Sequence, residues 1–140
     1  MGARVVGASD VYWGVYAKDE LDVSAAVSHA ADTGRPEGLP GAEPVSNEDL
    51  LRLSCAVLVS AARDGTITCG NESQVQARLV VEAANVAVTH GGDAALAARG
   101  VPIGPDILPN AGGVIASYFE WVQDSERGPC RSALQARPER

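Results

Sequence analysis

The sequence predicts an α/β fold, a parallel sheet with helices on both faces, and three observations carry that prediction. Short apolar runs rich in Val, Leu and Ala recur along the chain, as in "CAVLVSAA" (55–62) and "RLVVEAAN" (78–85). Segments with apolar residues at helical spacing alternate with them, as in "ELDVSAAVSHAADTG" (20–34) and "DAALAARG" (93–100). Polar residues close the runs: Asp10, Ser60, Asn85 and Asn110. Continuous apolar strands are those buried on two faces, and in such doubly wound sheets ligands sit beyond the strands' carboxyl ends. Those four polar residues are therefore the first candidates for a site.

Taken in order, "RVVGAS" (4–9) reads as a buried strand ended by Asp10 and a turn-like "YWG". Leu21, Val23, Ala26, Val27 and Ala30 then fall at helical spacing, with Gly34 as the stop. Residues 35–46 hold three prolines and two glycines and read as a loop, after which Ser46 or Asn47 caps a short helix through Leu53. Strands follow at 55–62 and 78–85, and a helix at 93–100 is closed by Gly100. "VPIGPDI" (101–107) is a brief fourth strand leading into "LPNAGGVIASYFEWVQ" (108–123). That last stretch crowds a double glycine, a serine and a Tyr-Phe-Glu-Trp cluster into a chain only 4% aromatic.

A length of 140 residues suits one domain. Hydrophobic residues at 46% and charged residues at 21% are globular values. The net charge of −7 disfavours non-specific binding to nucleic acid or to an anionic membrane. Cys55, Cys69 and Cys130 form no CxxC pair, so neither a disulfide framework nor a zinc site is indicated, and a reducing cytoplasm fits them best. His29 and His90 have no partner at metal-ligand spacing, and no metal site is expected. No apolar run approaches the roughly 18 residues that span a bilayer. "MGARVVGASD" has no signal-peptide core.

Five blocks make the sequence more specific: "VVGASDVYWGVYAKDELD", "TGRPEGLPGAEPVSNEDLL", "LVSAARDGTI", "LVVEAAN" and "VPIGPDILPNAGGVIASYFEWVQ". In order and spacing they resemble the nucleotide-binding domain of glutamate dehydrogenases, within the glutamate/leucine/phenylalanine/valine dehydrogenase superfamily, over nearly all of residues 4–124. The resemblance implies a Rossmann-type fold, NAD or NADP as cofactor, and homo-oligomeric assembly. It also implies the reversible reaction of L-glutamate and water to 2-oxoglutarate and ammonia, with hydride passing to the nicotinamide.

Residue by residue, the resemblance gives Asp10 hydrogen bonds from the adenosine ribose, and Ala61 and Ala62 the small surface over which the cofactor runs. Asn85 and Asn110 would hold the nicotinamide ribose or carboxamide, and Gly112 and Gly113 would bring the turn close to it. Ser117 would face the distal carboxylate of glutamate, and Tyr118, Phe119 and Trp121 would pack its helix against the sheet or a domain interface. Some positions depart from the family pattern. Ser60 stands where proline is usual, and Ala83 replaces the glycine of V-E-G-A-N, where its methyl would crowd a cofactor if the backbone needs glycine geometry. Trp13 falls in a turn the family fills with small residues.

The sequence carries no G-x-G-x-x-G, which the family places just before the strand at Arg4. The expectation is a partial NAD(P)-binding domain over residues 1–124, lacking the first strand, glycine loop and helix and without a substrate domain, hence inactive by itself and without catalytic residues of its own. Residues 125–140, with one leucine, two prolines and several arginines, read as a disordered or out-of-family tail. The alternative is a non-catalytic product, either a degenerate fragment or an interaction subunit docking on an intact dehydrogenase.

Overall fold

The computed structural model describes residues 2–126. Its elements run β1 (Gly7–Ser9), β2 (Gly14–Tyr16), α1 (Val23–Thr33), β3 (Glu43–Val45), α2 (Asn47–Leu51), β4 (Leu58–Ser60), a 3-10 turn (Glu72–Gln74), β5 (Val80–Glu82), α3 (His90–Ala98), β6 (Ile103–Gly104) and α4 (Ala111–Glu126).

Two three-stranded sheets result. β4, β5 and β6 form a parallel sheet in that order, with Leu58 opposite Val80 and Val80 opposite Ile103. This is the expected α/β unit. β1, β2 and β3 form a second sheet that is wholly antiparallel, with Ala8 opposite Val15 and Val15 opposite Pro44. Here the structure corrects the sequence reading. "RVVGAS" is no buried parallel strand: only Gly7–Ser9 is extended, and Ala8 and Ser9 are exposed. The chain reverses at Asp10–Trp13 and pairs β1 with β2 instead, which satisfies its backbone locally. The proline-rich loop likewise contains β3. Pro44 fits there because β3 is an edge strand, where one face of the backbone needs no ladder partner.

Helix ends follow local chemistry. The Asp22 carboxylate accepts from the Ala25 N–H at 2.9 Å to start α1, and Gly34, at φ 75°, ends it. Ser46 Oγ accepts from Asp49 N–H at 3.1 Å and donates to the Asp49 carboxylate at 2.7 Å. The Ser46 hydroxyl bond, and after it the Arg52 guanidinium, hold that carboxyl below its usual range. Thr89 Oγ1 caps α3 through Gly92 N–H.

The main core gathers Leu51, Leu58, Ile67, Val75, Ala77, Val80, Val88 and Leu96 under one face of the parallel sheet. The pleat alternates: Leu58, Ser60, Val80 and Glu82 are buried, whereas Val57 and Val59 are exposed and Val81 is half-buried. The sheet is thus covered well on one face of the described residues, not on both as its unbroken apolar strands suggest. The Arg99 guanidinium, just past α3, donates to the carbonyls of Glu72 and Val75 and pins the 3-10 turn to the helix. A smaller cluster of Val15, Ala17, Leu21 and Leu39 lies between the antiparallel sheet and α1.

Helix α4 buries little. Val114, Ile115, Tyr118, Phe119 and Trp121 are all exposed, and the Tyr118 ring packs edge-on against Phe119 at 5.9 Å and tilted against Trp121 at 6.2 Å. Within this chain Tyr118 thus packs against both other aromatics along the helix surface. The helix runs to Glu126, into the stretch expected to be a tail, and residues 127–140 lie outside the described residues.

Candidate functional site

The parallel sheet directs its carboxyl ends to one edge, and the segments leaving β4, β5 and β6 carry Ala61 and Ala62, Asn85, and Asn110. Two of these residues, 25 positions apart in sequence, meet directly: Asn110 Nδ2 donates to Asn85 Oδ1 at 3.3 Å. A second bond parallels the first, from the Val86 N–H to the Asp106 carboxylate at 3.0 Å. Asp106 O also accepts from Asn110 N–H, so one short turn positions both contacts.

Val86 has φ 49°, the one described non-glycine residue with positive φ. A β-branched side chain in this left-handed region is strained. Ala83 shows no such conformation, so the backbone at that position does not demand glycine. Its N–H and that of Ala84 both donate to the Ser60 carbonyl at 2.9 Å, which ties the β5 exit to the β4 exit.

Beneath this edge lies a residue that the sequence reading did not single out. Glu82 is buried, and its Oε1 accepts from the Val88 N–H at 2.7 Å. The signal was available, since an acidic residue inside an otherwise apolar run must find a donor when it is buried. Val88 in turn forms a parallel bridge with Ile67. Glu82 thus braces the return of the chain below Asn85 and does not line the surface above it.

Asp10 lies in a separate construction. Its Oδ1 accepts from Tyr12 N–H at 2.7 Å and Trp13 N–H at 2.9 Å, and its own N–H donates to the Trp13 carbonyl at 3.0 Å. The two N–H donors, Trp13 first and then Tyr12, hold the carboxyl below its usual range. Asn47 Nδ2 donates to the carbonyls of Asp10 and Val11 and fastens the turn to the start of α2. Asp10 bonds within its own turn and to Asn47, and among the described residues it makes no hydrogen bond to the asparagine pair.

Ala61 and Ala62 are exposed beyond β4, and Ser117 is exposed on α4. His29 receives a structural partner, the Glu37 carbonyl at 2.7 Å from Nε2. Among the described residues no group of three or more His, Cys, Asp and Glu side chains could hold a metal ion. No described helix is long and apolar enough to cross a membrane. Two surface hollows lie elsewhere, one of about 290 Å³ beside Tyr16 and Glu43 and one of about 440 Å³ beside Asp93 and Ile103.

The asparagine edge does fit a nicotinamide. Among the described residues the Asn85 amide nitrogen and the Asn110 amide oxygen have no hydrogen-bond partner, leaving a donor group and an acceptor group for a planar carboxamide. Ala61 and Ala62 leave β4 at the same end of the sheet as small, exposed side chains.

Comparison with known proteins identifies the family. The glutamate/leucine/phenylalanine/valine dehydrogenase family matches residues 1–133. A glutamate dehydrogenase of Thermotoga maritima is 43% identical over 124 residues, 89% of this chain and 30% of that protein. An NADP-specific glutamate dehydrogenase of Saccharolobus shibatae is 40% identical over 128 residues, 91% of this chain and 30% of that protein. A crystal structure of hetero-hexameric glutamate dehydrogenase from Thermus thermophilus superimposes with a TM-score of 0.78 at 38% identity, covering 89% of this chain and 29% of that one. The chain thus spans about 30% of the length of the curated relatives it matches. By sequence and by fold alike, it belongs to the glutamate/leucine/phenylalanine/valine dehydrogenase family.

Proposed function

We propose that this chain supplies the nicotinamide-facing part of the cofactor domain of an NAD(P)-dependent glutamate dehydrogenase, with residues 1–124 as part of that domain. The observation that carries the reading is the Asn110–Asn85 hydrogen bond at 3.3 Å, made beyond the carboxyl ends of adjacent parallel strands. When bound, NAD or NADP supplies the hydride acceptor for oxidation of L-glutamate to 2-oxoglutarate. Asn85 and Asn110 hold the nicotinamide ribose or carboxamide, the Ala61–Ala62 surface carries the backbone of the cofactor past β4, and Asp10 accepts from the adenosine ribose through its remaining oxygen. Ser117 donates to the distal carboxylate of glutamate. None of these residues moves a proton, so the chain alone performs no turnover, and proton transfer belongs to groups outside it.

The reading is tested by following the side-chain amide signals of Asn85 and Asn110 by nuclear magnetic resonance during titration with NAD and with nicotinamide mononucleotide. Both signals are expected to shift together and to saturate, and Asn85→Ala is expected to weaken binding about tenfold, the equivalent of one lost hydrogen bond. Unmoved signals at millimolar ligand would reject it.

A second reading, an interaction subunit of a larger dehydrogenase assembly, is favoured by α4. Its five exposed large apolar side chains form a surface that monomeric proteins seldom leave open. The hetero-hexameric state named for the Thermus thermophilus enzyme shows that relatives combine unlike subunits. Sedimentation of this chain alone and with an intact family member separates self-association from a mixed complex.

A further inference from the structure

The left-handed Val86 ties together the exits of all three parallel strands. Its N–H donates to the Asp106 carboxylate, beyond β6, at 3.0 Å, and its carbonyl accepts from the Gly65 N–H, beyond β4, at 3.0 Å. The Val86 N–H lies in the peptide plane shared with Asn85, so the Asp106 bond fixes ψ of Asn85 together with φ of Val86. The valine itself does not favour that conformation: a β-branched residue avoids positive φ, and this one is exposed, with little packing to compel it. Asp106 holds the second asparagine as well, because its backbone carbonyl accepts from the Asn110 N–H at 3.0 Å. One residue thus grips Asn110 through its main chain and the peptide of Asn85 through its side chain, and the two amides it governs meet at 3.3 Å.

We infer that Asp106 is a positioning residue for the asparagine pair: its carboxylate keeps Val86 left-handed and thereby aims the Asn85 amide at Asn110 and at the nicotinamide. The ligand half of this inference rests on the nicotinamide reading above, whereas the alignment of the two amides does not. Without the carboxylate, a residue other than glycine occupies the left-handed region roughly one time in ten, and a site competent only in that state loses affinity in the same proportion. Glycine enters the left-handed region about as readily as the right-handed one and has no need of the latch.

The experiment uses the full chain. Asp106→Ala removes the carboxylate but keeps the carbonyl that holds Asn110. In the unliganded protein the coupling between the Val86 amide and α protons reports φ by nuclear magnetic resonance, and the side-chain amide signals of Asn85 and Asn110 report the pair. Asp106→Ala is expected to move both and to weaken nicotinamide mononucleotide about tenfold by calorimetry. Asp106→Asn retains an acceptor oxygen and is expected to restore both. The deciding variant combines Asp106→Ala with Val86→Gly, and its affinity and asparagine signals are expected to return to within about twofold of the unsubstituted chain. A carboxylate that touched the ligand would not be replaced by a glycine on another loop, and one that only added stability would leave the affinity of a folded variant unchanged. Circular dichroism checks that each variant folds. Val86 coupling and asparagine signals unmoved by Asp106→Ala would overturn the inference, as would a folded double variant that still binds about tenfold more weakly. If the unsubstituted chain ignores nicotinamide mononucleotide while Asp106→Ala displaces Val86 and the pair, the nicotinamide reading falls and the positioning role stands.

Discussion

The Asp106 carboxylate accepts the backbone N–H of Val86 at 3.0 Å, and Val86 holds φ at 49°. A half-buried carboxylate on one loop thereby fixes a strained peptide on another, and Asn85 immediately precedes the strained residue. Left-handed backbone costs an ordinary residue about 1–2 kcal/mol. Val86 is 60% exposed and contributes little burial in return.

Val86→Gly should therefore stabilise the chain by about 0.5–1 kcal/mol, since glycine's greater entropy in the unfolded state offsets part of the relieved strain. Asp106→Ala should destabilise it by about 1 kcal/mol, the net worth of one hydrogen bond to a charged acceptor near solvent. Urea midpoints of the two variants decide this. Equal destabilisation by both would mean that the Val86 side chain, not its backbone, holds the loop.

Asp10 should give a pH signature. Its folded-state carboxyl lies below the usual value because the Trp13 and Tyr12 N–H groups favour the charged form. A depressed acid contributes stability that is present above its unfolded pKa and is lost as pH falls through the folded one. The β1–β2 turn should thus loosen only below the ordinary aspartate range, seen as late titration of the Asp10 carboxyl carbon signal. Asp10→Asn retains an acceptor oxygen and should keep the turn while abolishing that titration.

Glu82→Ala should cost about 1–3 kcal/mol, the penalty for leaving the Val88 N–H unsatisfied in a buried place. Glu82→Gln keeps an acceptor at the same reach and should cost clearly less. The pair separates a hydrogen-bonding role from simple packing, and denaturant unfolding reads it.

Gly14→Ala should be among the costliest small changes in the antiparallel sheet. A Cβ there would lie 2.9 Å from the Ser9 Cβ, 3.0 Å from the Ala8 carbonyl oxygen and 3.1 Å from a Leu50 methyl. Two of these neighbours are held by the β1 backbone, so the strand pair must open, at about 1–3 kcal/mol. Loss of amide protection at Ala8 and Val15 relative to the unsubstituted chain would show it.

The parts of this fold that are legible in the sequence are those specified by neighbours in the chain. Gly34 and Gly100 end their helices with positive φ, Ser46 caps α2, and "CAVLVSAA" and "RLVVEAAN" each contain their strand. What depends on pairing at a distance is not legible. β2 was hidden in a turn signal, and β3 behind Pro44, because an edge position makes proline acceptable and only topology reveals the edge. At the site, Asn85 and Asn110 stand out singly as residues closing apolar runs, but their contact requires β5 and β6 to be neighbours. Val86 gave no warning, since nothing in a valine suggests left-handed backbone. The resemblance points Asp10 at a ligand, and the structure adds a turn-forming role for one of its oxygens.

The parallel sheet has its strands in space in the order they occupy in the chain. Each pairing closes a short crossover, from Ser60 to Val80 and from Glu82 to Ile103, with no segment from elsewhere inserted between. Loop-closure entropy grows with separation, so these are inexpensive contacts to make early. The half that carries the asparagine edge can therefore begin to pair through contacts of its own, while α2 ties it to the preceding hairpin through Leu51 in its core and Asn47 on the Asp10 turn. Slow or defective pairing of β1 with β2 would delay one end of the molecule while the other is already pairing.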